Sequence, residues 1–338
     1  VPARTHRASR SIVLAALAAF ALAACSDPAA PPAKTAAGAP PPAATGPSAP
    51  ATPAGAPAPT AAPTAEVGAP APAVAVDGYV FKKKLPVVGA KFVVTESETT
   101  SLTLNVTAPK AAKPLKVVTS KRENVEKIVE NLAVVADAVT KVKVTYKQHS
   151  KVETEAGAEK TTTSPVAGKS YIVESKDGVV SVLSERGAAV SADEAKEVRD
   201  DFKSLGKPDK MQKAMPDGPI KVGDKVDSLA QGLRDVIAHD DDGSKTTVEN
   251  SQITLASVNE KSGQKTGVFS IQLDLVMEKG DLVIRMKMSG DAEIRMEDGL
   301  PVSMSLQSPL MVKSRDGAPG PKVSGAGLST MATTKQPL

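Results

Sequence analysis

The sequence predicts an α+β, β-rich fold: a curved antiparallel sheet or half-barrel with about three covering helices. Three observations carry this expectation. From Phe269 to Leu306, apolar and polar residues alternate in successive runs broken by Lys279-Gly280-Asp281, Gly290-Asp291 and Asp298-Gly299. That is the period of strands with one dry and one wet face, joined by tight turns. Two capping boxes, Ser120-Lys121-Arg122-Glu123 and Ser191-Ala192-Asp193-Glu194, mark helix starts. Nearly all charge and aromatic content lies after about residue 76, which places a single folded domain at 77–338.

Within that domain, strands are expected at 79–84, 88–95, 99–107, 141–153, 169–175, 179–184 and 247–259, with Asp177-Gly178 and Ser262-Gly263 as turns. The C-terminal runs form a meander, and a last strand near 327–335 closes the sheet. The first capping box precedes Val125, Ile128, Val129, Leu132, Val135, Ala136 and Val139 at helical spacing, which predicts a helix over about 121–139. Its rival is a pair of strands, because Val-rich runs also suit sheet. The second box opens a helix that stops near Gly206, and a third helix runs from Asp227 to about Ala238. A one-sided sheet needs a cover, which these helices can supply.

Residues 1–24 read differently. Arg4, Arg7 and Arg10 precede the apolar run from Ser11 to Ala24. That run gives about 21 Å of helix, short of a bilayer core of about 30 Å, so it reads as a secretory signal. Residues 25–76 read as a disordered tether, since 14 of the 27 prolines fall between Pro28 and Ala75 with almost no charge or large apolar side chain.

Composition removes several function classes. Of 42 basic residues, three lie in 1–24, leaving 39 against 38 acids. A near-neutral chain without Trp lacks the basic excess and stacking platforms of a nucleic-acid binder. The single Cys excludes an internal disulfide framework and a cysteine-built zinc site. No Gly-rich phosphate loop, G-x-S-x-G elbow or H-E-x-x-H is present.

Candidate chemistry is sparse, and no catalytic residue, metal ligand or cofactor site is expected. His149 sits among Gln148, Ser150 and Lys151 and reads as solvated. His239 precedes Asp240-Asp241-Asp242-Gly243, but Glu249 comes too early to close a calcium loop, so an acidic helix end is the plainer reading. Lys82-Lys83-Lys84 reads as a solvated strand edge.

Methionine is less ordinary. Six of nine Met lie in 277–311. Met suits surfaces that accept varied apolar ligands, or it simply packs a core short of aromatics. On the first reading, Phe269, Leu273, Met286, Met288, Ile294 and Met304 line an apolar cavity beneath the helices.

Resemblances to known families add to this. Leu22-Ala23-Ala24-Cys25 resembles the lipobox of bacterial lipoproteins. That likeness implies a diacylglyceryl group on Cys25, cleavage after Ala24, and stable membrane anchoring through acyl chains. Ser26, rather than an acid, follows the Cys, which in that family leans toward the outer membrane, with the domain in the periplasm. The meander with covering helices, over about 80–335, resembles the lipoprotein-carrier half-barrel, whose apolar inner face holds acyl chains. Met215-Pro216-Asp217-Gly218-Pro219-Ile220-Lys221-Val222-Gly223-Asp224 resembles a segment of uncharacterised β-rich bacterial lipoproteins that there precedes a Trp absent here. Ser204-x-x-Lys207 and Lys265-Thr266-Gly267 match two motifs of penicillin-recognising serine enzymes, but Ser204 ends a helix instead of starting one and no S-D-N lies between them.

The expected function is therefore non-enzymatic binding of a lipid or other apolar ligand by an envelope lipoprotein. The alternative is an envelope structural or assembly protein acting through protein–protein contacts.

Overall fold

The computed structural model describes residues 78–338, apart from 110, 112, 156, 239–244 and 262. The residues expected to form the signal and the tether, with Cys25, and His239 and Asp240–Asp242 lie outside the described residues. Eleven strands form one open, curved, antiparallel sheet. They are β1 (Lys91–Thr107), β2 (Leu115–Val135), β3 (Ala138–Glu155), β4 (Ala158–Thr163), β5 (Ser170–Lys176), β6 (Val179–Ser184), β7 (Lys245–Lys261), β8 (Gln264–Lys279), β9 (Leu282–Arg295), β10 (Pro301–Ser314) and β11 (Lys322–Pro337). Among the described residues the helices are α1 (Ala192–Asp201), α2 (Lys210–Ala214) and α3 (Asp227–Ala238).

Sheet order is β6-β5-β3-β2-β1-β11-β10-β9-β8-β7, and β4 pairs with β3 beyond the reach of β5. The last strand, β11, lies in mid-sheet beside β1, running in register from Phe92↔Pro337 to Thr107↔Lys322. Two meanders, β1–β6 and β7–β11, are thereby zipped into one surface. On β8 the odd-numbered residues Phe269 to Met277 are buried, and on β9 the even-numbered residues Leu282 to Ile294 apart from Gly290. The same dry face continues through Leu306, Leu310 and Val312 on β10 to Leu102 and Leu104 on β1. Burial of each large aliphatic side chain contributes about 1.5–3 kcal/mol.

Two glycines let β11 lie close to its neighbours. A Cβ on Gly325 would stand 2.3 Å from the Thr103 carbonyl oxygen, and one on Gly327 2.1 Å from that of Ser101. The side chains of Leu104 and Leu310 fill the space above them.

Several expectations are corrected. Residues 121–139 are not a helix: they complete β2, turn at Ala136-Asp137 and begin β3. Lys127, between Val125 and Val129, and Asn131, just after Val129, occupy inward positions of β2, so polar residues interrupt the apolar alternation and leave a pattern that imitates helical spacing. Strands 88–95 and 99–107 are one strand, because Glu96 and Glu98 continue the inward row between Val94 and Leu102. Gly290-Asp291 is not a turn but the middle of β9, where a Cβ would stand 2.0 Å from the Ser305 carbonyl oxygen. Residues 79–84 form only an isolated bridge, Tyr79↔Ile220. Phe81 packs there against Phe269, with ring centroids 5.2 Å apart.

Helix α1 is capped as its sequence predicts, with Ser191 and Glu194 completing both halves of the box. It ends at Asp201, and turns carry the chain to Gly206, whose N–H donates to the Val139 carbonyl at 2.8 Å. Helix α3 buries Leu229, Ala230 and Ile237. The short α2, which packs on α3, was not anticipated.

Candidate functional site

The sheet carries two covers. Val198 of α1, with Phe202 and Leu205 just after it, packs on Val129, Val142, Val144, Tyr146, Tyr171 and Val173. Helix α3 packs on β7, at the other end of the strand order. Between them lies a cavity of about 450 Å³. Its floor is the dry face of the sheet: Phe92 and Val94 of β1, Val129 of β2, Val139 and Val142 of β3, Ile271 of β8, Ala292 and Ile294 of β9. Its roof is Phe202 and Leu205, Met211 and Met215 around α2, and Leu229 and Leu233 of α3. Leu85, Pro86 and Val87 close one side, and Pro301, Val302 and Met304 another.

Polar groups in the wall are few and mostly committed. Arg295 and Asp298 form a buried forked pair, with Nε donating to Oδ1 at 2.8 Å, and Asp298 Oδ1 also accepts the Leu300 N–H at 3.2 Å. That carboxylate, more than any other neighbour, holds the guanidinium charged. Asn131 Nδ2 donates to the Val87 carbonyl at 3.2 Å. Lys335 Nζ lies 3.7 Å from the centroid of Phe92, covering that ring.

Of the six side chains expected to line such a cavity, the structure places Ile294 and Met304 on its wall. Phe269, Leu273, Met286 and Met288 are buried on the same face but pack within the core instead of lining it. The Met-rich row therefore mostly fills the fold. The roof residues Phe202, Leu205, Met211 and Met215 were missed, since long-range packing alone brings them over the sheet.

Beside the cavity, α1 is fastened by an ionic network. Lys127 Nζ, fully buried, pairs with Glu96 at 3.0 Å and Asp201 at 2.9 Å. The Tyr146 hydroxyl donates to Asp201 at 2.6 Å. His149 Nε2 lies 2.8 Å from Glu123 and Nδ1 2.8 Å from Glu197, and Ser164 Oγ donates to Glu197 at 2.6 Å. Lys169 and Tyr171 both reach Glu194. The expectation of a solvated His149 is overturned: it is 1% exposed. Pairing runs Glu126↔Gln148 then Lys127↔Tyr146, so Lys147 is bulged and the strand's parity flips, turning position 149 inward. No residue-level signal marks such a bulge.

Burial pushes the His149 ring toward neutrality, but Glu123 and Glu197 outweigh it and raise its pKa. Burial likewise opposes ionisation of Glu123, yet His149, Lys121 and Lys151 hold its carboxyl well below the usual range. Glu197 is lowered in the same way, against burial, by His149 and Ser164. The Ser164 hydroxyl meets Glu197 and not the imidazole, so this is not a nucleophilic triad. Among the described residues no group of three His, Cys, Asp or Glu could hold a metal ion, and no helix is long and apolar enough to cross a membrane.

No family model and no curated protein matches the chain. Among solved structures it is similar to lipovitellin, from a study of its lipid–protein interactions, at 7% identity and a TM-score of 0.29, over 72% of this chain and 25% of that one. The chain thus spans about a quarter of lipovitellin's length. It is also similar to DynF of the dynemicin biosynthesis pathway of Micromonospora chersina, at 9% identity and a TM-score of 0.14, over 80% and 92% of the two chains. A third is an outer membrane channel of Pseudomonas putida F1, at 11% identity and a TM-score of 0.20, over 78% and 100%. At these scores none of the three carries a functional argument.

Proposed function

We propose that the chain is an envelope lipoprotein whose β-rich domain binds a lipid or other apolar molecule in the cavity, without catalysing a reaction. The observation that carries this reading is the cavity itself: about 450 Å³, walled largely by aliphatic, Phe and Met side chains. That size falls within the range of roughly 300–1,000 Å³ typical of small-ligand sites. Water in such a space lacks hydrogen-bond partners, so an apolar guest gains about 25 cal/mol per Å² of surface it buries. Met211, Met215 and Met304 adapt to chains of different shape. Anchoring through acyl groups on Cys25, and residence in the periplasm at the outer membrane, rest on the lipobox and on Ser26.

Native mass spectrometry of the full chain purified from cells tests the reading. The expected result is a copurified apolar molecule that is lost when Met304→Trp fills the cavity, with the circular dichroism spectrum unchanged. Absence of any such molecule, and no uptake of added fatty acid or phospholipid, would refute it.

A further inference from the structure

Lys84, Leu85, Pro86 and Val87 wall the cavity on one side and face solvent on the other. Leu85, Val87 and Val88 are 63%, 53% and 57% exposed. Single exposed aliphatic residues are ordinary, whereas three within four positions form a patch that the fold leaves wet. The patch is held in place: Asn131 accepts the Gly89 N–H at 2.7 Å, donates to the Ala90 carbonyl at 2.9 Å, and donates again to Val87.

The same segment is basic. Residues 82–91 contain four Lys and no acid. Lys83 pairs with Asp217 and Lys91 with Glu130. Lys82 and Lys84 are exposed and have no ion-pair partner among the described residues. Next to them lies α2, whose Gln212 side chain donates to the Lys84 carbonyl at 2.6 Å.

We propose that residues 82–88 form a membrane-docking surface: Lys82 and Lys84 meet anionic lipid headgroups while Leu85, Val87 and Val88 enter the interfacial layer. Charge complementarity selects this occupant. Lys is depleted at protein interfaces, and the patch has none of the Trp, Tyr or Arg anchors that dominate protein hot spots. Lysines flanking aliphatic residues suit an anionic bilayer surface. Of the described domain, this segment lies nearest in sequence to Cys25, so an acyl anchor there would join the domain at this end. Docked in this way, the cavity wall lies against lipid, which gives an apolar guest a route that avoids water. The surface does not depend on the binding reading, since the loop inserts whether or not the cavity is filled.

The test uses the full chain with Cys25→Ser, labelled with an environment-sensitive dye at Val88→Cys, and a control labelled at Met311→Cys, which is 65% exposed on the opposite face of the sheet. Vesicles of phosphatidylcholine with phosphatidylglycerol should blue-shift the dye at position 88 and leave the dye at 311 unchanged. Lys82→Gln with Lys84→Gln should weaken that partition on the order of 20-fold. Leu85→Asp should abolish it with the circular dichroism spectrum intact. No shift with anionic vesicles, equal shifts at both positions, or a shift only on adding an envelope protein fraction would each overturn the proposal. Because the readout is local to position 88, its failure is distinct from failure to copurify an apolar molecule.

Discussion

Lys127 of β2 and Asp201 at the end of α1 lie 2.9 Å apart, with the lysine side chain wholly excluded from solvent. The pair joins a strand of the cavity floor to the helix whose following turn carries Phe202 and Leu205 into the roof. Glu96 and Tyr146 complete its shell. A buried charge is tolerated only when so partnered, and removing one member leaves the others desolvated without compensation.

Lys127→Met should therefore lower stability by about 3–5 kcal/mol in urea titrations. Lys127→Met combined with Asp201→Leu should cost less than the sum of the two single changes, with a coupling of about 0.5–3 kcal/mol in the double-mutant cycle. Strict additivity would show that the pair does not hold α1.

His149 makes stability depend on pH. Its folded pKa is raised, so its contribution is complete below the unfolded value of about 6.5 and is lost as pH rises through the folded value. Glu123 and Glu197 are lowered, so theirs is complete above about pH 4.3 and is lost as pH falls through their folded values. The urea midpoint should be flat from about pH 4.5 to 6.5 as far as this cluster is concerned, and should decline above that. His149→Gln should remove the alkaline decline, and an unchanged decline in that variant would remove His149 as its source.

Gly327→Ala should destabilise by at least about 1–3 kcal/mol, because the new methyl meets backbone on β1 that cannot swing aside. Gly317→Ala, with nothing within 4 Å of its Cβ but a φ of +77°, should cost only about 1–2 kcal/mol of local strain. Thermal melts of the pair separate close packing from turn conformation.

Phe269 and Met304 should part company. Phe269→Ala empties a site that is 1% exposed and packed at a tilt against Phe81, at a cost of about 3–5 kcal/mol. Met304 is half-buried on the cavity wall, so Met304→Ala should cost less than about 2 kcal/mol while altering uptake of an apolar fluorophore. Equal destabilisation would place Met304 in the packed core.

Most of the sheet is legible along the chain. The runs through β8 and β9 alternate, and the Asp177-Gly178 turn stands where φ is +51° and +79°. Capping boxes succeed only where a helix has a tertiary surface to cover: Ser191 caps α1, whereas Ser120 pairs across the sheet with Ser101 and Glu123 binds His149. The misreadings cluster on the inward row that runs from Glu96 and Glu98 to Lys127 and His149, where polar side chains occupy dry positions. Local pattern assigns such residues to solvent because it carries no information about a partner from a distant strand or helix.

The order of residues alone determined that this chain forms a β-rich sheet with helices on one side, because alternation, turn chemistry and capping act within a few positions of one another. Tertiary structure decided that β11 joins β1, that a bulge at Lys147 turns His149 inward, and that the cavity lies between two covers instead of along the methionine row. Each of these depends on which distant surfaces meet, and a free energy shared between segments far apart in sequence leaves no periodic trace in either one.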